Sequence, residues 1–403
     1  MFLTAEEERI LDGEEGYARQ LAMKIVVKLG EIFSADKLIP ITAAHISGAS
    51  YKTIGDAPIE FLEDLVNNGA RACVKATLNP VGFDLQDYKN WSLSKTVIEK
   101  QKYIISLYEK LSIEPILSCT PYLLENFRLS LGDHIAFSES SACVYTNSVI
   151  GARTNREGGP SALASAIIGK TANYGLHITE MRQPKLLVEV ENPPKEYAEF
   201  GMLGTYVGRL ARDNIPIFQG IRNATNNQLK YLGAGLASTG MVAMFHMLGI
   251  TPEAKEIDVK EYSEKITVSQ DELNNELNKL STTDNIPDLI FIGCPHCSLQ
   301  ELQEIAAYLR NKKVRTDLKL WVCTSQEIKK SAQQEVEAIE NSGAKVICDT
   351  CIVVAYLEQL GIKTMMTSSA KAANYTPHFC DIAAVMNTVQ GCLDTATTKL
   401  KDI

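Results

Sequence analysis

The sequence predicts an α/β protein of several domains whose sheets are mainly parallel. Three observations carry that reading. One grammar repeats along the chain: a short apolar run, a loop of Gly, Pro, Ser or Asn, then a segment with helical spacing. The 403 residues exceed what one hydrophobic core usually holds. The loops that follow the strands carry the reactive side chains, as loops at the carboxyl ends of parallel strands do.

The elements follow in order. Thr4 with Glu7 forms a capping box that opens a helix over 4–33, its apolar face marked by Ile10, Ala18, Leu21, Ile25 and Val26. A strand over 38–44 delivers His45-Ile-Ser-Gly-Ala-Ser50 into a loop, and a helix follows over 58–68. The strand 72–77 opens into Leu78-Asn-Pro-Val-Gly82, the segment 97–111 is helical, and the strand 114–118 ends at Cys119. Ile135-Ala-Phe precedes Ser138-Glu-Ser-Ser141, and 186–190 has strand character. Towards the C-terminus, strands over 288–293, 319–323 and 345–348 alternate with helices, the first over 299–310. That βαβαβ alternation implies a parallel sheet. The polar stretch 255–285 is the best domain boundary, and the expected domains are 1–135, 136–280 and 281–403. No internal repeat or low-complexity tract is present.

Hydrophobic content of 45% and charged content of 22% describe an ordinary globular protein. The net charge of −9 argues against non-specific nucleic-acid binding, which needs excess Lys and Arg. The acidic opening segment is neither a signal nor a transit peptide, and no apolar run has the length of a membrane helix. The expectation is a cytoplasmic protein without nucleic-acid or membrane partners. Its ten cysteines are then buried thiols, metal ligands or catalytic groups in preference to disulfides.

Three short cysteine sites stand apart: Ser118-Cys-Thr-Pro121, Gly293-Cys-Pro-His-Cys297 and Cys348-Asp-Thr-Cys351. Thiolates on loops after strands can converge on one soft metal centre, and three of them suit an iron–sulfur cluster better than a closed zinc site. A four-iron cluster with three protein ligands leaves one iron open as a Lewis acid. Two other readings stand beside it. Cys294-Pro-His-Cys297 after a strand also fits a thiol–disulfide redox site. A zinc site built from both CxxC units is weak, because their separation far exceeds the roughly 15–20 residues of a zinc ribbon. Cys73, Cys143, Cys323, Cys380 and Cys392 read as small buried hydrophobes.

His45, in its Ser/Gly-rich loop, is a candidate acid–base or orienting group, against a hydrogen-bonded structural role. His246 reads as a buried helix residue and His296 as a support for the neighbouring cysteine. The Gly169-Lys170-Thr171 and Gly233-Ala-Gly235 segments lack the spacing of phosphate loops and read as packing glycines. The dense polar run 147–160, with Arg153 and Arg156, reads either as an anion-binding loop or as an internally bonded interface loop. Lys371, among small residues after a strand, is a candidate anion contact.

These segments together resemble the aconitase X family. The resemblance rests on His45-Ile-Ser-Gly-Ala-Ser-Tyr51 with Thr53-Ile-Gly-Asp-Ala-Pro58, Thr77-Leu-Asn-Pro80, Cys119-Thr-Pro-Tyr122, Ser138-Glu-Ser-Ser-Ala142 and the 147–160 run. Gly293-Cys-Pro-His296, Asp349-Thr-Cys351 and Ser369-Ala-Lys-Ala-Ala373 complete it in order, covering nearly the whole chain. It implies an aconitase-like fold of α/β domains around a central iron–sulfur site. It also implies a cluster, most simply 4Fe–4S, on Cys119, Cys294 and Cys351. Gly48, Ala49, Ser50, Asn79, Pro80, Glu139, Ser140 and Lys371 would line a small anionic substrate. The family commonly carries a bulkier residue where this chain has Ala49. Cys297 and Cys348 lie outside the matching positions.

The length resembles the large subunit of two-subunit members, whose small swivelling domain is a separate chain. The implied assembly is a heterodimer in which a serine of the small partner serves as general base. The implied chemistry is a hydro-lyase reaction in isoprenoid synthesis: (R)-mevalonate 5-phosphate loses water to give trans-anhydromevalonate 5-phosphate. Dehydration of cis-3-hydroxy-L-proline is the alternative within the family.

Overall fold

A computed structural model describes residues 1–398, apart from 256, 258, 260, 261 and 263. Those five positions of the polar 255–285 stretch lie outside the described residues. The first sheet has four parallel strands, β1 (Ala43–Ile46), β2 (Lys75–Leu78), β3 (Glu114–Leu117) and β4 (Ile135–Phe137), in the order β3-β2-β1-β4. The second has β5 (Leu186–Val190), β6 (Pro216–Gln219), β7 (His246–Met247) and β8 (Lys265–Val268), also parallel, in the order β8-β5-β6-β7. The third is a five-stranded parallel sheet of β9 (Leu289–Cys297), β10 (Lys319–Thr324), β11 (Lys345–Ile347), β12 (Thr364–Thr367) and β13 (Ala383–Met386), in the order β11-β10-β9-β12-β13.

Helices cover these sheets as parallel strands require. In the first unit α1 (Ala5–Asp12), α2 (Tyr17–Ile32), α3 (Lys95–Lys110) and α4 (Gly159–Ile168) bury Ile10, Met23, Val26, Ile104, Leu107 and Ile167 against Ile46 and Leu78. Each such side chain contributes about 1.5–3 kcal/mol on full burial. α5 (Tyr197–Ala211) and α6 (Asn226–Thr239) pack on the second sheet, with Leu203, Val207, Leu232 and Leu236 fully buried. α7 (Leu299–Leu309) and α8 (Ala370–Phe379) belong to the third unit.

The helix expected over 4–33 is two helices, because Gly13 and Gly16 leave the helical conformation with φ of 90° and 92°. The strand expected over 38–44 is also two. Leu38–Pro40 pairs antiparallel with Lys170–Ala172, and Pro40, lacking an N–H, ends that ladder before β1 begins. His45 therefore lies within β1, fully buried, and not in the following loop. His246 lies in β7 and not in a helix, its Nε2 donating to the Arg182 carbonyl at 2.7 Å. Short apolar runs do not distinguish buried strand from buried helix. Cys73 is exposed, contrary to the reading of a buried thiol. The packing of α4 carries the first unit on to Ala172, past residue 135.

Candidate active site

In both the first and the third sheet the strand order reverses beside the central strand, at β1/β4 and at β9/β12. Ligands of open α/β sheets bind at such reversals, outside the carboxyl ends of the strands. The loops after β1 and β4 carry Gly48–Ser50 and Glu139–Ser140. Cys294 lies in the last part of β9, and Lys371 in the first turn of α8, which follows β12.

The two sheets face one another through these ends. Val81, after β2, donates its N–H to the Asp349 carbonyl at 2.7 Å, and Cys351 donates to the Val81 carbonyl at 2.9 Å. This backbone bridge sets the Cys351 loop against the Asn79-Pro80 loop. Cys119 follows β3 in the short turn 118–121. At the end of β9, Gly293 adopts φ 118°, and a Cβ there would lie 2.3 Å from the Cys323 carbonyl oxygen. Only glycine lets β9 bend there against its neighbour and turn Cys294 inward. At Gly159 a Cβ would lie 2.5 Å from the Ser47 carbonyl oxygen, so α4 approaches the loop after β1 only because that residue is glycine.

Cys119 is 8% exposed and Cys294 is 6%, and Cys351 is half-buried. Burial pushes all three thiols up, Cys351 to about 12, and Cys294 adds to that rise at both other sulfurs. The Lys371 ammonium opposes it at each of the three. The three thiols thus share the field of one cation, Lys371. Among the described residues, no group of His, Cys, Asp or Glu gathers tightly enough for a single ion. Cluster thiolates each bind a different iron, so they stand wider apart than the ligands of one ion. The donor set fits a cluster: three soft sulfurs, in a largely buried setting, beside a compensating cation.

On the opposite wall Lys371 Nζ lies 2.5 Å from Glu139 Oε1 and 3.4 Å from the hydroxyls of Ser140 and Ser141. Glu139 Oε2 accepts from Asn79 Nδ2 at 2.8 Å, and Oε1 accepts from the Ser141 N–H and hydroxyl. Burial raises the Glu139 carboxyl, but the adjacent Lys371 overrides it and holds the group at about 2. The same ion pair keeps Lys371 charged despite burial. Glu139, Ser140, Asn79 and Lys371 thus form one network, with Pro80 next to Asn79 in chain and buried. Gly48-Ala49-Ser50, after β1, is held separately. Gln101, fully buried on α3, donates to the Ala49 carbonyl at 2.8 Å and accepts from the Tyr51 N–H at 2.9 Å. Ser50 Oγ, Asn79 Oδ1 and His45 Nε2 are buried without a hydrogen-bond partner. Buried polar atoms are rarely left so, except where a ligand completes them.

His45 sits behind the Gly48–Ser50 loop, its Nδ1 2.8 Å from Thr77 Oγ1, and burial holds its ring down to about 4. The 147–160 run is chiefly internally bonded: Asn147 donates to the Thr154 and Ala243 carbonyls, and Arg153 to the His177 carbonyl and Thr179. Gln101, Ser141 and Ser369 escaped sequence reasoning. Gln101 was detectable as a lone amide on the apolar stripe of α3.

The aconitase X first, second and third domains match residues 1–180, 184–278 and 287–398. The chain belongs to the aconitase X family. A crystal structure of Thermococcus kodakaraensis aconitase X in its holo form superposes with a TM-score of 0.91 at 42% identity, covering 98% of this chain and 100% of that one. The chain is 46% identical over 397 residues to the phosphomevalonate dehydratase large subunit of Methanosarcina mazei, spanning 97% of it. It is 45% identical to that of Methanocaldococcus jannaschii, spanning 99%. The cis-3-hydroxy-L-proline dehydratase of Pseudomonas aeruginosa is 30% identical, and the chain spans 70% of it. An aconitase-like family points to an iron–sulfur cluster, in keeping with the many buried cysteines of this chain. No helix among the described residues is long and apolar enough to cross a membrane.

Proposed function

We propose that this chain is the large subunit of a phosphomevalonate dehydratase, a hydro-lyase that converts (R)-mevalonate 5-phosphate to trans-anhydromevalonate 5-phosphate. The observation that carries it is the end-to-end match to relatives of that name. The chain spans 97–99% of the M. mazei and M. jannaschii large subunits but only 68–70% of two hydroxyproline dehydratases. The partner implied by those names is proposed to be a small swivelling subunit that closes the site and supplies a serine base, and the assembly is proposed to be cytoplasmic. The domain division we favour follows the packing and the family match, at about 180 and 280.

In this reading Cys119, Cys294 and Cys351 hold a 4Fe–4S cluster. When bound, such a cluster supplies an open iron as Lewis acid to the departing hydroxyl. The remaining work belongs to the chain. Lys371 offers a positive charge that Glu139 keeps fixed in position, suited to a carboxylate or phosphate oxygen. Asn79 and Ser50 offer buried polar atoms that still want partners. The Gly48–Ser50 wall fixes the carbon chain, and burial of the network excludes water from the reacting carbons. His45 stays neutral behind the loop, its Nδ1 held beside the Thr77 hydroxyl.

The redox alternative fares poorly on geometry. Cys294 and Cys297 are both buried, and burial pushes both thiols up, opposite to the exposed, acidic thiol that exchange needs. The test is an anaerobic assay of the two-chain complex on both family substrates. Water loss from (R)-mevalonate 5-phosphate alone supports the reading. Turnover of cis-3-hydroxy-L-proline alone overturns it.

A further inference from the structure

His296 touches every cysteine segment of the site. Its backbone N–H points at Cys119 Sγ, 3.3 Å away. Its Nδ1 lies 3.2 Å from Ser118 Oγ, in the residue before Cys119. Its Nε2 lies 2.9 Å from the Thr350 carbonyl oxygen, in the residue before Cys351. It stands two residues after Cys294 in the strand extension that carries that thiol. The carbonyl of His296 accepts from Lys230 Nζ at 3.0 Å, and Lys230, on α6, also pairs with Glu301 of α7. One side chain and its own peptide thus join all three domains.

The partners also assign the ring's protons. Thr350 offers only a carbonyl oxygen, so Nε2 carries the hydrogen. With Nε2 protonated and the ring neutral, Nδ1 is the acceptor and the Ser118 hydroxyl donates to it. The Ser118 oxygen then accepts the Thr120 N–H at 3.2 Å, which closes the turn around Cys119. His296, Ser118 and Thr350 are each no more than 1% exposed, so water does not compete for these bonds. The Thr120 hydroxyl also lies 3.1 Å from the Ser118 oxygen, and the bonds link Thr120, Ser118, His296 and Thr350 in one chain. Such a satisfied buried network is rigid.

We propose that His296 is the positioning residue that holds the three cysteine loops in register, so that losing its ring loosens the cluster without removing a ligand. This rests on the cluster reading above. The cluster's binding energy is otherwise spent ordering three loops from two sheets. A network already formed in the metal-free chain removes that cost.

The test uses the full chain reconstituted anaerobically with iron and sulfide. In His296→Ala, iron should pass to a chelator about 10–100-fold faster than in wild type, the range expected when a ligand's supporting group is lost. His296→Gln, which keeps a donor for the Thr350 carbonyl, and His296→Asn, which keeps a group at the Nδ1 level, should each recover part of that loss. Ser118→Ala, a milder change that spares the strand, should speed release by a smaller factor. Hydrogen exchange of the metal-free chain gives an iron-independent reading: His296→Ala should raise exchange in both 118–120 and 350–352. Wild-type iron release in His296→Ala and Ser118→Ala, with exchange altered only near 294–298, would overturn the proposal. If the wild-type chain takes up no iron, or Cys119→Ser retains it, the cluster reading fails. The exchange measurement then still decides whether His296 couples the loops.

Discussion

The Lys371 ammonium and the Glu139 carboxylate, 2.5 Å apart and each under 10% exposed, join loops from the first and third sheets across the site. Among the described residues, neither charge has another partner of opposite sign. Glu139→Gln should therefore strand a buried cation and cost about 3–5 kcal/mol of stability. The double variant Glu139→Gln, Lys371→Met should recover much of that stability while remaining inactive. Chemical denaturation of the four proteins checks the first part, and the two-chain assay checks the second.

Gln101 holds the loop after β1 at two points, the Ala49 carbonyl and the Tyr51 N–H. In Gln101→Leu the Ala49 carbonyl and the Tyr51 N–H lose their partner, at about 1–3 kcal/mol each if water does not replace it. Under the proposed function this loop binds and does not react, so KM should rise more than kcat falls. A fall in kcat at unchanged KM would remove Gln101 from the binding wall.

Gly293→Ala should be severe for a side chain of one carbon. The added methyl meets the Cys323 carbonyl oxygen, and φ 118° is strained for alanine. The expected loss is at least about 2 kcal/mol, with lower iron occupancy because Cys294 follows directly. Thermal unfolding and iron content of the variant provide the check.

Acid should destabilise the metal-free chain in a defined window. Burial pushes His45 and His296 down to about 4 and His177 to about 3. The native state then binds fewer protons than the unfolded chain below the ordinary histidine value. Stability is full above about 6.5 and is lost as pH falls towards 4. Asp349, raised by burial from 3.8 to about 6, pulls the other way between those two values, so the histidine loss is partly offset below about 6. His45→Asn isolates one ring: its stability relative to wild type should improve as pH drops from 6.5 to 4. A pH-independent difference would contradict this.

The strands and helices of the parallel units were largely legible, because buried parallel strands leave short apolar runs between Gly/Pro/Ser loops. The cysteine turns were legible as well, since Cys119 and Cys351 sit beside Thr, Asp and Pro where an apolar run would bury an inert thiol. What sequence alone missed depends on contacts between distant segments. His45 looks like a loop residue until Pro40 is seen to end one strand and Ala43 to begin another in a different sheet. Gln101 reads as one polar residue in an amphipathic helix until α3 packs beneath Ala49 and Tyr51. Arg153, an apparent anion ligand, proves committed to the His177 carbonyl and Thr179, contacts that no local pattern announces.

Iron and sulfide content of the anaerobically prepared chain, measured across single cysteine variants, tests the central claim most directly. The account predicts about four irons per wild-type chain, as a 4Fe–4S centre requires. It predicts their loss in each of Cys119→Ser, Cys294→Ser and Cys351→Ser, and their retention in Cys297→Ser and Cys348→Ser. Iron retained in any of the first three, or lost only with Cys297 or Cys348, would contradict it.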